Sequence, residues 1–290
     1  MSNVDRRHFL AAAFALAARP GAAQSPDPLA LLASMVQAYA KVSDFTMELH
    51  KEELVKTAGG EALSWRLVKE VGQVRFRKRP AGNGADGAPY VRDIRFDKGC
   101  ALLCPALYRE GLNDDRIAIR GVINVDPHGA RAMDGQHHPI TNVDLGATIG
   151  LIHEHATRAQ RAGVLTASID GRGRFDDREV HEFSARLDGG TRGVRVQAGE
   201  TLRAFAQRTG TQVHLLVHHN DRLATAVDAV AAGTELVVPD YYARRVRLWI
   251  DVERLLPLQI EVYDASDRLY ERYSYRKLAI NVGLTDDHFR

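Results

Sequence analysis

Twelve histidines are spread through 290 residues, and their spacing decides which of them could share one metal ion. His137 and His138 are adjacent, while His153 and His155 flank Glu154. A two-residue separation on a helix turns side chains about 200° apart, so His153 and His155 do not chelate one ion together. His214 and His218 stand four apart on one helix face, as in the zinc motif H-E-x-x-H, but Leu215 and Leu216 fill the middle and no glutamate is there. Neither spacing completes a metal site, so the expectation is no metal and no cofactor. Serine chemistry has no support either, since no G-x-S-x-G elbow occurs. The adjacent carboxylates Glu52-Glu53, Asp114-Asp115, Asp176-Asp177 and Asp286-Asp287 point to opposite sides on strands or turns, and read as solvated edges. Tyr263, Tyr270, Tyr273 and Tyr275 could form a sugar platform, but aromatic residues favour sheet positions in any case. With no catalytic constellation, the expectation is a protein that is not an enzyme.

Cys100 and Cys104 are the only cysteines. On one extended strand their Cα atoms would lie roughly 13 Å apart, beyond disulfide reach. Two free, mostly buried thiols are therefore expected, unless Gly99 or Pro105 bends the chain.

The elements that must position these groups follow from periodicity. Asp27-Pro28 opens a helix with an apolar stripe of Leu29, Leu32, Val36 and Tyr39. From Phe45 the period becomes two, with Phe45, Met47 and Leu49 on one face. Ala58-Gly59-Gly60 marks a hairpin turn, and strands continue through Trp65, Leu67, Val74 and Phe76. A glycine-rich loop spans Gly82–Pro89. Tyr90, Ile94 and Phe96 restart alternation, and short strands follow near Ile117-Ile119 and Val122-Val125. A helix begins after Asn142 or Asp144 and buries Leu145, Ile149, Ile152, Ala156 and Ala159. Strands Val164–Ile169 and Glu179–Leu187 come next, with the turn expected at Asp170-Gly171. After Pro239 the pattern resumes at Val246, Leu248 and Ile250, then Leu258, Ile260 and Val262, then Leu269, Glu271, Tyr273 and Tyr275.

Between these last two groups lies a compact strand–helix–helix–strand pattern. Val194 and Val196 alternate with polar residues, Thr201 caps a helix carrying Leu202, Phe205 and Ala206, and Gly210-Thr211 breaks it. A second helix carries Val213, Leu216 and Val217, Asn220 closes it, and Leu236-Val237-Val238 forms a strand ended by Pro239. Insertion at a loop tip leaves a host core undisturbed, so the sequence reads as a discontinuous host of residues 27–190 and 241–290 carrying an insert of residues 191–240.

At the amino terminus, Arg6-Arg7 precedes Phe9-Leu10 and the apolar run Ala11–Ala18, with small residues at Gly21-Ala22-Ala23. This resembles a twin-arginine export signal over residues 1–23, cut near Ala23, and implies a periplasmic protein. Its removal takes away three arginines and one aspartate and leaves 36 basic and 36 acidic residues, from 39 and 37 in the chain. Such a balance gives no electrostatic footprint for nucleic acid. No later segment approaches the ~20 apolar residues of a transmembrane span.

The sequence Val194–Pro239, with its GET-L, GT, Leu-Leu, Asn and G-x-x-L-x-V-P order, resembles the LysM domain. That resemblance implies binding of N-acetylglucosamine-containing glycan, above all peptidoglycan, in a groove between two loops. Carried over by position, it selects Gly199, Glu200 and Thr201 with Asn220, Asp221, Arg222 and Leu223. The host is similar to the exported bacterial family called domain of unknown function 1571, through Phe45–Lys56, Val74–Pro80, Lys98-Gly99, Gly111-Leu112-Asn113, His138–Thr141 and Asp251–Leu258. Its carboxyl-terminal part, Ile260–Asp264, Tyr273-x-Tyr275 and Asn281–Phe289, is similar to the lipoprotein carriers LolA and LolB. These likenesses imply an α+β fold, a curved antiparallel half-barrel covered by helices plus a βααβ LysM-like insert. They also imply a lipid or lipoprotein acyl chain as a partner beside peptidoglycan. The alternative is a LysM-targeted cell-wall hydrolase or another envelope enzyme.

Overall fold

The computed structural model describes residues 27–59, 62–80, 90–99 and 104–290. The export segment, Gly60, the Gly82–Pro89 loop and Cys100 lie outside the described residues. The chain opens with helix α1 (Pro28–Ala40), whose cap Asp27 accepts from the Leu29 amide. It buries Leu31, Leu32, Met35 and Tyr39, while Val36 of the expected stripe is 39% exposed. The helix is apolar on most of its circumference, so its spacing alone does not choose the buried face.

Strands β1 (Asp44–Gly59) and β2 (Ala62–Pro80) form one long hairpin, from Asp44 opposite Arg77 to Gly59 opposite Ala62. The shorter strands β3 (Tyr90–Lys98), β4 (Ala106–Arg109), β5 (Ile117–Ile119) and β6 (Ile123–Val125) extend the sheet outward. A segment with one short helix, α2 (Ala130–Met133), leads to α3 (Leu145–Arg161). Then come β7 (Leu165–Phe175), β8 (Arg178–Leu187), β11 (Arg245–Asp251), β12 (Pro257–Tyr263) and β13 (Leu269–Ile280). All eleven are antiparallel neighbours in the order β6-β5-β4-β3-β2-β1-β13-β12-β11-β8-β7. Ile119 near one end and Phe183 near the other line the same cavity, so the sheet curls around its inner face.

Between β8 and β11 the chain leaves the sheet to form β9 (Thr191–Arg195), α4 (Leu202–Thr209), α5 (Val213–His219) and β10 (Glu235–Pro239). β9 and β10 pair only with each other. Val196, Leu202, Phe205, Leu216, Leu223, Leu236 and Val238 form a core separate from that of the large sheet. Across this excursion β8 pairs directly with β11, Arg186 facing Arg245.

Two local expectations are corrected. The β7–β8 turn is at Asp176-Asp177, both at positive φ (49° and 61°), and not at Asp170-Gly171, where the pairing register shifts inside the strand. Aspartate tolerates the left-handed region that a tight hairpin turn needs, and a glycine inside a strand marks a bulge. Cys104 is disulfide-bonded rather than free. The geometry that excluded a bridge assumed one strand through both cysteines, but β4 starts only at Ala106.

Helices α1 and α3 are locked together at one buried carboxylate. Asp144 caps α3 by accepting from the Gly146 amide (2.8 Å), and accepts from the hydroxyls of Tyr39 and Tyr90 (the latter at 3.2 Å). Gly146 is required by this contact, since a Cβ there would lie 2.1 Å from the Tyr39 ring. Gly146→Ala is therefore expected to destabilise the protein by about 1–3 kcal/mol through overpacking, despite alanine's better helix propensity. Urea unfolding measures this directly.

Candidate functional site

The inner face of the sheet, α3, the 126–143 segment and the α4–α5 pair line a half-open cavity of about 900 Å³. Its walls include Ile119, Val125, Phe183, Leu187, Val246 and Ile260. These are inward positions of alternating strands, which is why a strand sequence with one apolar face produces such a surface. Val213 of α5 and Ala206 of α4 also reach it.

The polar part of the lining is one connected network. The alternation that turns Phe45 and Met47 inward on β1 continues to Lys51 and Glu53, which are 8% and 1% exposed. On β13 the inward positions are Glu271, Tyr273 and Tyr275. Glu53 and Glu271 are direct cross-strand partners, and both are 1% exposed. Like charges placed opposite each other repel, so both must be compensated by neighbouring groups. Glu53 has Lys51 Nζ at 3.4 Å, accepts from the Tyr273 hydroxyl at 2.6 Å, and accepts from the His137 amide at 3.0 Å. Lys51 also pairs with Glu70 at 2.9 Å. Glu271 accepts from the Tyr242 hydroxyl at 2.7 Å through Oε2. Around its Oε1 stand His137 Nδ1 at 2.7 Å, His138 Nε2 at 3.4 Å and His214 Nε2 at 3.4 Å.

The protonation states follow from these neighbours. Burial works against ionisation of Glu271, but His138, His137 and His214 outweigh it and hold the carboxyl well below the ordinary range. Burial opposes Glu53 too, and Lys51 with the two neighbouring histidines leaves it below its ordinary value. Burial and then Glu271 push the Tyr242, Tyr270 and Tyr273 phenols well above theirs. His138 is raised, since Glu271 overcomes its burial, whereas burial takes His214 well below the usual histidine value. Both carboxylates are thus ionised at neutral pH, and neither is poised as a general acid. An acid–base pair needs its two pKa values pushed apart.

Helix α5 explains how the insert enters this network. Leu216 and Val217 belong to the insert's core, while Leu215 belongs to the core of the large sheet. His214 stacks on His137 with ring centroids 4.8 Å apart, and His218 meets Trp65 edge-on at 4.9 Å. Lys56 of β1 donates to the carbonyls of Val217 (3.1 Å) and Asn220 (3.0 Å), a cation at the carboxyl end of α5. Its four successive residues His214, Leu215, Leu216 and Val217 are all buried, because the helix is packed against both cores.

The residues selected for glycan binding lie in the insert, away from this network. Gly199 is exposed with φ 72°. Thr201 caps α4 by accepting from the Ala204 amide, and Glu200 is bound to Arg208, which lowers its carboxyl to about 2. Asn220 is 6% exposed, with its amide bonded to Leu216 and Val237 backbone, and Leu223 is 2% exposed in the insert's core. Asp221 and Arg222 are exposed. Of this set, only backbone groups and the side chains of the exposed members face solvent.

Among the histidine groups of the sequence, the structure joins His137-His138 to His214 and leaves His153 outside the cavity wall. His155 accepts from the Tyr242 amide at 3.1 Å, and burial with Arg158 nearby lowers it to about 4. Spacing missed Glu271 as a partner and read Glu53 as a solvated edge. The available signal was the alternation on β1, which assigns both Lys51 and Glu53 to the apolar face.

The family model for "Protein of unknown function (DUF1571)" matches residues 106–202 and 199–290. The chain belongs to the DUF1571 family. The match runs through the βααβ segment as well as the sheet on both sides of it. No curated protein matches this DUF1571 chain. Among solved structures, the Pseudomonas aeruginosa MucA/MucB complex is similar with TM-score 0.41 and 12% identity over 91% of this chain and 61% of that one. A DUF1329 family protein from Desulfovibrio piger gives TM-score 0.39 and 13% identity over 91% and 98%. Mycobacterium tuberculosis lipoprotein LppX gives 0.34 and 9% over 89% and 96%. The DUF1571 chain spans about three fifths of the MucB-complex chain it matches.

Two outcomes follow for the network. Lys51→Met leaves Glu53 buried without its cation and is expected to cost about 3–5 kcal/mol, read by urea unfolding. His155, neutral in the fold down to about 4, takes up a proton in the unfolded chain near 6.5. Stability therefore falls as pH drops from about 6.5 to 4. His155→Gln is expected to flatten that part of the stability–pH curve; an unchanged slope contradicts this.

Proposed function

We propose that this DUF1571 protein is an exported, non-enzymatic envelope protein that holds an apolar ligand, an acyl chain of a lipid or lipoprotein, against the inner face of its sheet. The cavity carries the reading: about 900 Å³ lies at the upper end of the range of small-molecule sites, which are mostly apolar with a few convergent polar groups. Burying about ten methylenes there supplies about 8 kcal/mol, the scale of a micromolar complex before ordering costs. The polar network would meet the headgroup end. No helix among the described residues is long and apolar enough to cross a membrane.

Native mass spectrometry of the purified chain is expected to show co-purified lipid. Ala185→Trp, which fills the cavity from β8 (Ala185 is 5% exposed and lines it), is expected to weaken binding of a fluorescent fatty acid at least tenfold. Equal binding by wild type and variant would contradict the reading.

A second role is supported by the βααβ layout with its own core together with the LysM-like residue order. In this reading the insert binds the glycan of peptidoglycan through the loops at Gly199–Thr201 and Asn220–Leu223. Deleting the insert would also strip Leu215 from the main core, so point changes are the cleaner test. Purified protein is expected to pellet with insoluble peptidoglycan, and Gly199→Trp combined with Arg222→Glu is expected to abolish pelleting. Release of soluble muropeptides would instead favour the hydrolase alternative.

A further inference from the structure

Three segments far apart in sequence bring ligand atoms to one buried point: the 126–143 segment, α5 of the insert, and β13. One ring nitrogen each of His137 and His214 and a carboxylate oxygen of Glu271 lie within 4.8 Å of one another, and all three residues are buried. Each nitrogen facing a carboxylate oxygen needs a proton or a cation between them. For His138 a proton suffices. Its Nδ1 accepts from the Asn142 amide (3.4 Å), so its Nε2–H points at the Tyr242 hydroxyl (2.9 Å) and Glu271.

His137 and His214 are different. The Nε2 of His137 lies 3.2 Å from the Leu54 carbonyl, which only accepts, so that nitrogen carries a proton. Its Nδ1 faces Glu271 Oε1 at 2.7 Å, with room between them for a second ring proton or a cation. The Nε2 of His214 is 3.4 Å from the same oxygen, and it is buried with no hydrogen-bond partner among the described residues. A buried polar atom left unmatched in this way costs free energy unless something fills its need. The charge count points the same way. Lys51 is engaged by Glu53 and Glu70, and no lysine or arginine pairs with Glu271 among the described residues. The positive charge this buried carboxylate needs must therefore come from a protonated histidine or from a bound cation.

We propose that His137 Nδ1, His214 Nε2 and the Glu271 carboxylate bind one divalent ion of the zinc class. Two imidazoles and one carboxylate are a borderline N/O donor set, and three protein ligands leave the fourth tetrahedral position open. Tetrahedral bonds of about 2.0–2.1 Å need the donors drawn closer than they stand, a shift that small ring rotations supply. His137 and Glu271 line the cavity while His214 does not, so the open position faces the cavity beside His138 and Tyr242. The Leu54 carbonyl on His137 and the Tyr242 hydroxyl on Glu271 Oε2 are the outer hydrogen bonds that orient metal ligands. Because His214 comes from the insert and Glu271 from the sheet, the ion clasps the two cores together.

The experiment uses the untagged full chain, stripped with chelator and dialysed against micromolar Zn²⁺, with metal content read by mass spectrometry. About one ion per chain is expected for wild type and for His218→Ala, which changes the same helix outside the ligand set. His214→Ala and Glu271→Gln are expected to fall to near zero while keeping their far-ultraviolet circular dichroism. Wild type is also expected to show visible d–d absorption with Co²⁺ and a raised Tm with Zn²⁺. Failure of the wild type to retain Zn²⁺, or retention by His214→Ala equal to wild type, overturns the proposal. The cluster would then be held by a proton alone.

Discussion

Two glutamates face each other across neighbouring strands on the inner face of the sheet, and the rest of the structure answers that repulsion. Glu53 on β1 and Glu271 on β13 are cross-strand partners, and each is only 1% exposed. Burying one carboxylate without a partner is prohibitive; burying two in contact is worse. Lys51 and Tyr273 satisfy the first, and three histidines with Tyr242 satisfy the second. The histidines and Tyr242 come from the 126–143 segment, the insert and the approach to β11, so the demand of Glu271 draws separate segments onto one face. Polar compensation therefore complements apolar packing in setting where the insert sits.

The insert is consequently more than an appendage on a turn. Its second helix contributes to two cores at once, Leu216 to its own and Leu215 to that of the large sheet. Lys56 binds the carbonyls at the end of that helix, and Tyr270 of β13 packs against both His137 and His218. A module held this way has little freedom to swing, and the cavity it helps to close depends on its orientation.

Much of the sheet was legible from period-two patterning: β1, β5, β11 and β12 all follow the alternation of their apolar residues, whereas in β13 the adjacent Tyr270 and Glu271 are both buried. Turn placement was less so, because Asp170-Gly171 and Asp176-Asp177 carry similar local signals and only the pairing of β7 with β8 distinguishes a bulge from a turn. Cys104 was misread because a strand was extended through it, whereas β4 begins only at Ala106. The site was the least legible part. His137, His214 and Glu271 are separated by tens of residues, and adjacency on a cavity floor leaves no spacing motif. What the sequence did carry was indirect: charged residues on the apolar face of β1, and a helix apolar all round with histidines at both ends.

The account stands on the interaction between His214 of the insert and Glu271 of the sheet. A double-mutant cycle on unfolding free energy, His214→Ala against Glu271→Ala, measures it without reference to any ligand. A coupling of about 1 kcal/mol or more is the predicted result; effects that add to within about 0.5 kcal/mol would contradict it.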